Sequence, residues 1–313
     1  MDYGRLTAAY AAMEQTRSRL EIASLLAELF HDTPPEELAA VAHLCLGQLG
    51  PAYDSREIGL SDKSVLRTLA LASGVALAEL QVTYAEAGDI GLVAEEALAT
   101  KAQQPLFEAP LTVSRVWKRL HTLSRETGTG SQERKFRALA ELLHDGTPQD
   151  ARYLCRTAVG KLRLGFSQML LVDGLAEAFG SREERGMVEA AYNRRPDIGW
   201  LAQRAAADFG SLDAVRVEPG IPLRPMLGER LSSAEAVLEK HGGESCFEWK
   251  YDGLRVQAHL LPGGTRLFSR SLEDLTPQFP DVAEALEQAL PAGVIVEGEA
   301  LAIDEEGNLL PFQ

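Results

Sequence analysis

Apolar residues between positions 1 and 215 recur at spacings of three and four, as in Leu20, Ala23, Leu25, Ala27, Leu29 and Phe30. That is the period of an amphipathic helix, and strand-like alternation is almost absent there. From Phe247 the texture changes to short β-rich runs, FEWKY, LRVQAHL, TRLFS and VIVEGEALAI, parted by the turn chemistry of Asp252-Gly253 and Pro262-Gly263-Gly264. The change predicts an all-α domain over 1–215 and an extended linker over 216–225, where Pro219, Gly220, Pro222 and Pro225 cluster. A mixed domain follows over 226–313.

The helical part repeats itself. YAEAGDIGLVA from Tyr84 matches YNRRPDIGWLA from Tyr192, and ELFHDTPPE from Glu28 matches ELLHDGTPQ from Glu141, in the same order along the chain. The matches predict two copies of one helical unit, 1–105 and 106–215. A duplicated unit can form a pseudo-twofold arch suited to lying across a duplex, or it can be scaffolding.

The 45% hydrophobic content is that of a chain able to bury real cores. No apolar run approaches the roughly 20 residues that span a bilayer, and Arg5, Glu14, Arg17 and Arg19 stud the first twenty positions, so neither a membrane nor a signal peptide is expected. Cys45, Cys155 and Cys246 lie far apart, without CxxC or zinc-finger spacing, which predicts three small core residues in a reducing cytoplasm. A formal net charge of -15 argues against a nucleic-acid partner until its distribution is seen. Lys and Arg number seven against fifteen Asp and Glu in 1–105, seventeen against fourteen in 106–216, and seven against seventeen in 217–313. Positive charge is concentrated in the middle third, where Arg115, Lys118 and Arg119 share one helical face.

The candidate chemistry lies in Phe247–Gly253, FEWKYDG, followed by Arg255. On a strand Glu248 and Lys250 share one face while Phe247, Trp249 and Tyr251 point to the other, so one face can line a pocket and the opposite face can enter a core. Asp252-Gly253 then turns the chain back so that Arg255 and Gln257 fall on a common face. A lysine attacks only as the free amine, so an amine meant as a nucleophile needs burial or neighbouring positive charge.

Lys250-Tyr251-Asp252-Gly253 with Arg255 resembles the KxDGxR signature of the nucleotidyltransferases: ATP-dependent DNA ligases, RNA ligases and messenger RNA capping enzymes. SRSLEDLTPQFPD from Ser269 is similar to the ligases' next motif, and VEGEALA from Val296 to a third. Upstream, GKLRLG at Gly160, YNRRPDIGWLA at Tyr192 and GIPLRPML at Gly220 resemble the DNA-binding domain and connector of the archaeal and bacterial branch of ATP-dependent DNA ligases, and so direct the reading away from RNA ligases and capping enzymes. The resemblance implies a multidomain α and α+β protein. An all-α DNA-binding domain would be followed by the first part of an adenylation domain, ATP-grasp-like antiparallel β with helices. It implies that Lys250 is adenylylated by ATP and that Glu248 accepts from the adenine amino group. Arg255 and Arg270 would contact ribose or phosphate, and Glu299 would hold a ribose hydroxyl or the metal, Mg2+ or Mn2+. Lys161 and Arg163, then Arg194 and Arg195, are the implied contacts to phosphates of nicked double-stranded DNA. It further implies a cytoplasmic monomer serving replication, repair or recombination, with room for a sliding-clamp partner. The family continues past the third motif with more catalytic residues and an oligonucleotide-binding barrel, so a chain halting at Leu310-Pro311-Phe312-Gln313 is expected to be a partial one that binds DNA better than it catalyses.

Overall fold

The computed structural model describes residues 1–54, 57–99, 110–165, 167–226 and 228–310. The chain divides into two compact units, Met1–Tyr192 with Asp197–Val215, and Asn193–Pro196 with Arg216–Gln313. The expected repeat boundary at 105/106 lies outside the described residues, as does Leu227 of GIPLRPML.

The first unit is helical. Its first half holds α1 (Tyr3–Glu14), α2 (Arg19–His31), α3 (Leu38–Leu44), α4 (Asp62–Ser73), α5 (Leu77–Ala87) and α6 (Ile90–Ala99). Its second half holds α7 (Val113–Arg125), α8 (Ser131–Asp145), α9 (Pro148–Ala158), α10 (Gln168–Phe179), α11 (Arg185–Arg194) and α12 (Ile198–Ala207). Side-chain caps start the helices where the sequence offers them: Ser18 accepts from Glu21 N, Thr112 from Arg115 N, and Thr147 forms a reciprocal capping box with Asp150. Left-handed glycines, Gly74 and Gly88, close α4 and α5.

The packing is reciprocal. α2 crosses α10 as α4 crosses α8, and α6 crosses α9 as α12 crosses α3. Where the N-termini of α1 and α7 meet, Tyr3 N donates to Leu111 O at 2.7 Å and Val113 N donates to Met1 O at 3.0 Å. The Asp-Ile-Gly shared by the two matched segments has a physical reason at these crossings. Asp89 accepts from Gly91 N and from Arg156, and Asp197 accepts from Trp200 N and meets Nε2 of His43 at 3.1 Å. The glycines let the helices approach closely. A Cβ on Gly91 would lie 2.7 Å from Arg152 O and from Arg156 Nε, and one on Gly199 would lie 2.5 Å from His43 Nε2 and 3.0 Å from Ala39 O. Cys45 and Cys155 are core residues as expected, but Cys246 is exposed, because the segment around it packs against no core.

The second unit is built on a three-stranded antiparallel sheet, order β2-β1-β3, from β1 (Leu254–Leu261), β2 (Gly264–Phe268) and β3 (Ile295–Ala300). α13 (Ala234–Lys240) precedes the sheet, and α14 (Pro280–Ala289) packs on β1 and β2, closing a core of Val256, Ala258, Leu260, Leu267, Leu275 and Ala283. FEWKY does not form the expected strand. Both edges of β1 are taken, by β2 and β3, and no further strand among the described residues offers 247–251 a ladder. Phe247, Trp249 and Tyr251 therefore enter no core and are exposed. The expected linker is hydrogen-bonded to the sheet. Gly220 N donates to His259 Nδ1, Gly220 O accepts from Arg266, and Leu223 exchanges hydrogen bonds with Gln257.

Gly91→Ala should destabilise the helical unit by about 2 kcal/mol through forced separation of α6 and α9. Gly186→Ala, where an added Cβ meets nothing within 4 Å, should stabilise α11 by up to about 1 kcal/mol. Urea unfolding of the two variants measures both, and a wild-type midpoint for Gly91→Ala would contradict the close crossing.

Candidate active site and nucleic-acid surface

The pairing of β1 with β3 assembles the polar face of the second unit. Its register sets Arg255 opposite Glu299 and Gln257 opposite Glu297, and alternation turns these four side chains away from Val256 and Ala258. Arg255 Nη2 donates to Glu297 Oε2 at 2.6 Å, and Gln257 Nε2 donates to Glu297 Oε1 at 2.8 Å. Gly253 N donates to Glu299 Oε1 at 3.2 Å, which ties the KYDG stretch to β3. Glycine is required there for space. A Cβ at 253 would lie 2.5 Å from Ala300 O and 3.0 Å from Cγ of Glu299.

The structure thus brings Gly253, Arg255, Glu297 and Glu299 together. Glu248 and Lys250 are exposed in the extended segment before β1, and neither has a hydrogen bond or ion pair among the described residues. Lys250 lies three positions before the amide that Glu299 holds. Arg270 is exposed in the turn after β2, also without a partner among the described residues. Ser269, Ser271 and Glu273 knit that turn together, and Leu272 adopts φ 72° within it. Glu297 lies outside the residues expected from sequence to hold the nucleotide. Its signal was the alternation in VEGEALA, which puts Glu297 and Glu299 on the same face.

Among the described residues no group of three His, Cys, Asp or Glu side chains is placed to hold a metal ion. Glu297 is engaged by Arg255 and Gln257, whereas Glu299 keeps one oxygen without a partner among the described residues. That suits one ligand of an ion held largely by substrate phosphates, and not a cage made by protein alone.

In the helical unit GKLRLG runs as a rim in which Leu162 and Leu164 are buried while Lys161 and Arg163 face outward. Gly160, Arg163 and Gly165 all have positive φ, at 68°, 60° and 75°, so the glycines free the loop and Arg163 sits in the left-handed region. Lys161 pairs with Asp62 at 3.1 Å, and Arg163 donates to Gly88 O and lies 3.5 Å from Asp89. Burial alone would raise the Asp89 carboxyl, but hydrogen bonds from Arg156 outweigh it and hold the group below its ordinary value. Arg163 also lines an open cleft of about 480 Å³ with Arg17 and Arg19. Those two arginines were not singled out from sequence, and they carry no hydrogen bond or ion pair among the described residues. A second cleft, about 540 Å³, is lined by Arg115, Lys118 and Arg119, with Arg115 paired to Asp145 and Arg119 to Glu141. Arg194 and Arg195 are both half-buried, and Arg195 is paired with Glu218 at 2.8 Å.

Comparison with known proteins returns one coherent set. The family described as DNA ligase N terminus matches residues 2–206, and that described as ATP dependent DNA ligase domain matches residues 225–313. Over its whole length the chain is 43% identical to a protein named DNA ligase from Pyrobaculum arsenaticum and 42% identical to a DNA ligase 2 from Thermofilum pendens, covering 54% of each. It is 42% identical over 97% of its length to a DNA ligase 2 from Korarchaeum cryptofilum, covering 52% of that protein. The chain therefore spans about half the length of these relatives. No described helix is long and apolar enough to cross a membrane.

Burial, with the Arg266 guanidinium second, pushes the His259 imidazole down to about 4 from its ordinary 6.5. Between those values the unfolded chain binds the proton and the folded unit does not, so stability falls as pH drops from about 6.5 towards about 4. Denaturant melts of the wild type and His259→Phe across this window should show the extra loss only in the wild type. Parallel curves would contradict a neutral, buried His259.

Proposed function

This chain belongs to the ATP-dependent DNA ligase family, and we propose that the complete protein seals nicks in duplex DNA through a lysine–AMP intermediate. The observation that carries the reading is the hydrogen bond from Gly253 N to Glu299 together with the Arg255–Glu297 pair, which sets a polar nucleotide face directly after the exposed Lys250.

In the first step the Lys250 amine forms a bond to the α-phosphorus of ATP and the bond to pyrophosphate breaks, in line. The 5′-phosphate at the nick then takes the AMP from Lys250. Finally the 3′-hydroxyl attacks that 5′-phosphorus and AMP leaves, closing the backbone. Glu248 accepts from the adenine amino group, and Arg255 and Arg270, as permanent cations, hold ribose or phosphate. Glu299 holds a ribose hydroxyl, and its open oxygen is the one that would meet a divalent cation, Mg2+ or Mn2+. When bound, that ion neutralises charge on the phosphate oxygens.

The helical unit binds the nicked duplex through phosphates, with Lys161 and Arg163 on the GKLRLG rim as principal contacts and Arg17 and Arg19 beside them. A phosphate that displaces the exposed Asp62–Lys161 pair costs little, since such pairs are worth about 0–1 kcal/mol. Arg194 and Arg195 remain secondary contacts. Monomeric action in the cytoplasm accords with this chemistry.

A crossed experiment on the complete protein separates the two roles. Lys250→Ala should lower nick sealing by at least about 1,000-fold while leaving nicked-duplex affinity unchanged. Lys161→Ala and Arg163→Ala should each reduce the slope of log affinity against log salt by about 1. Sealing by Lys250→Ala at the wild-type rate would overturn the reading.

A further inference from the structure

A continuous run of hydrogen bonds leaves the nucleotide face through Glu297 and ends on the connector backbone. Gly220 N donates to His259 Nδ1 at 2.8 Å, and a backbone N–H can only donate, so the ring proton must sit on Nε2. His259 Nε2 faces Gln257 Oε1 at 2.8 Å, and Leu223 N donates to the same oxygen at 2.7 Å. With two donors on its oxygen the amide of Gln257 has one orientation. Its Nε2 then donates to Leu223 O at 3.3 Å and to Glu297 Oε1 at 2.8 Å, and Arg255 donates to the other oxygen of Glu297 at 2.6 Å. His259 is wholly buried and Gln257 is 4% exposed, so water does not substitute for either partner. Phe268 packs edge-on to the imidazole at 5.0 Å and holds the ring in place.

Every donor in this run meets one kind of acceptor and no member can reverse its polarity. Two side chains, Gln257 and His259, are therefore what join residues 220–223 to Arg255.

We propose that Gln257 and His259 are positioning residues that set Arg255 and Glu297 for the nucleotide from the backbone of Gly220 and Leu223, so that the connector acts on nucleotide affinity. The inference rests on the reading that this face takes ATP. It separates affinity from chemistry, because Gln257 and His259 touch neither Lys250 nor the reacting phosphorus.

The test is a double-mutant cycle on lysine labelling by α-phosphate-labelled ATP in the complete protein, with thermal melting of each variant alongside. Gln257→Leu and His259→Phe should each raise KM for ATP about tenfold with kcat changed less than about twofold, and in an Arg255→Ala background the further rise should shrink below about twofold. Equal rises in both backgrounds would overturn the proposal, since the residues would then not act through Arg255. Nitrogen NMR of the folded protein supplies an arm independent of labelling. Gln257→Leu should shift the Arg255 guanidinium resonances, and His259 should show the Nε2–H tautomer. An unmoved Arg255 or the opposite tautomer would also overturn the proposal, whereas failure of the wild type to label at all would strike the ATP reading alone.

Discussion

The second unit depends on the register of β1 against β3. Arg255 opposite Glu299 and Gln257 opposite Glu297 is the pairing that collects the polar side chains on one face and leaves Val256, Ala258 and Leu260 for α14. A slip of β3 by one residue would turn Glu297 and Glu299 to the core face and break their pairing with Gln257 and Arg255. The register is held at one end by Gly253, whose missing Cβ lets its amide reach Glu299, and farther along the sheet by the hydrogen bond from Gln257 to Glu297. The same bonds that make the sheet also make the site.

The helical unit solves a different problem, how an acidic chain can offer a cationic surface. Several cations of the middle third are engaged internally. Arg152 and Arg156 meet Glu14, and Arg156 also meets Asp89, at the crossings of helices. Lys161 and Arg163 stand outward on a rim stiffened by Leu162 and Leu164, and Arg163 shares a cleft with Arg17 and Arg19.

Much of this was legible in the chain. Periodicity of three and four marked the helices, and the runs LRVQAHL, TRLFS and VIVEGEALAI lie on β1, β2 and β3 because turn residues bracket them. FEWKY misled, since its alternation and aromatics are strand-like but a strand exists only where a neighbour offers a ladder. Cys246 misled for the same reason, being a small apolar residue in a segment without a core. The engagement of Glu297 and the buried polar run through Gln257 and His259 could not be seen from composition. They depend on which residues the register places opposite one another, a long-range fact that local pattern does not carry. Arg17 and Arg19 were hidden likewise, because their neighbour in the cleft, Arg163, lies far away in sequence.

The central claim is that Lys250, alone among the lysines, forms the bond to the nucleotide. Peptide mapping by mass spectrometry of the complete protein after incubation with ATP tests it most directly. The account predicts AMP on the peptide spanning FEWKYDG, attached to Lys250 through an acid-labile phosphoramidate. Nucleotide attached at another residue, with Lys250 unmodified, would contradict it.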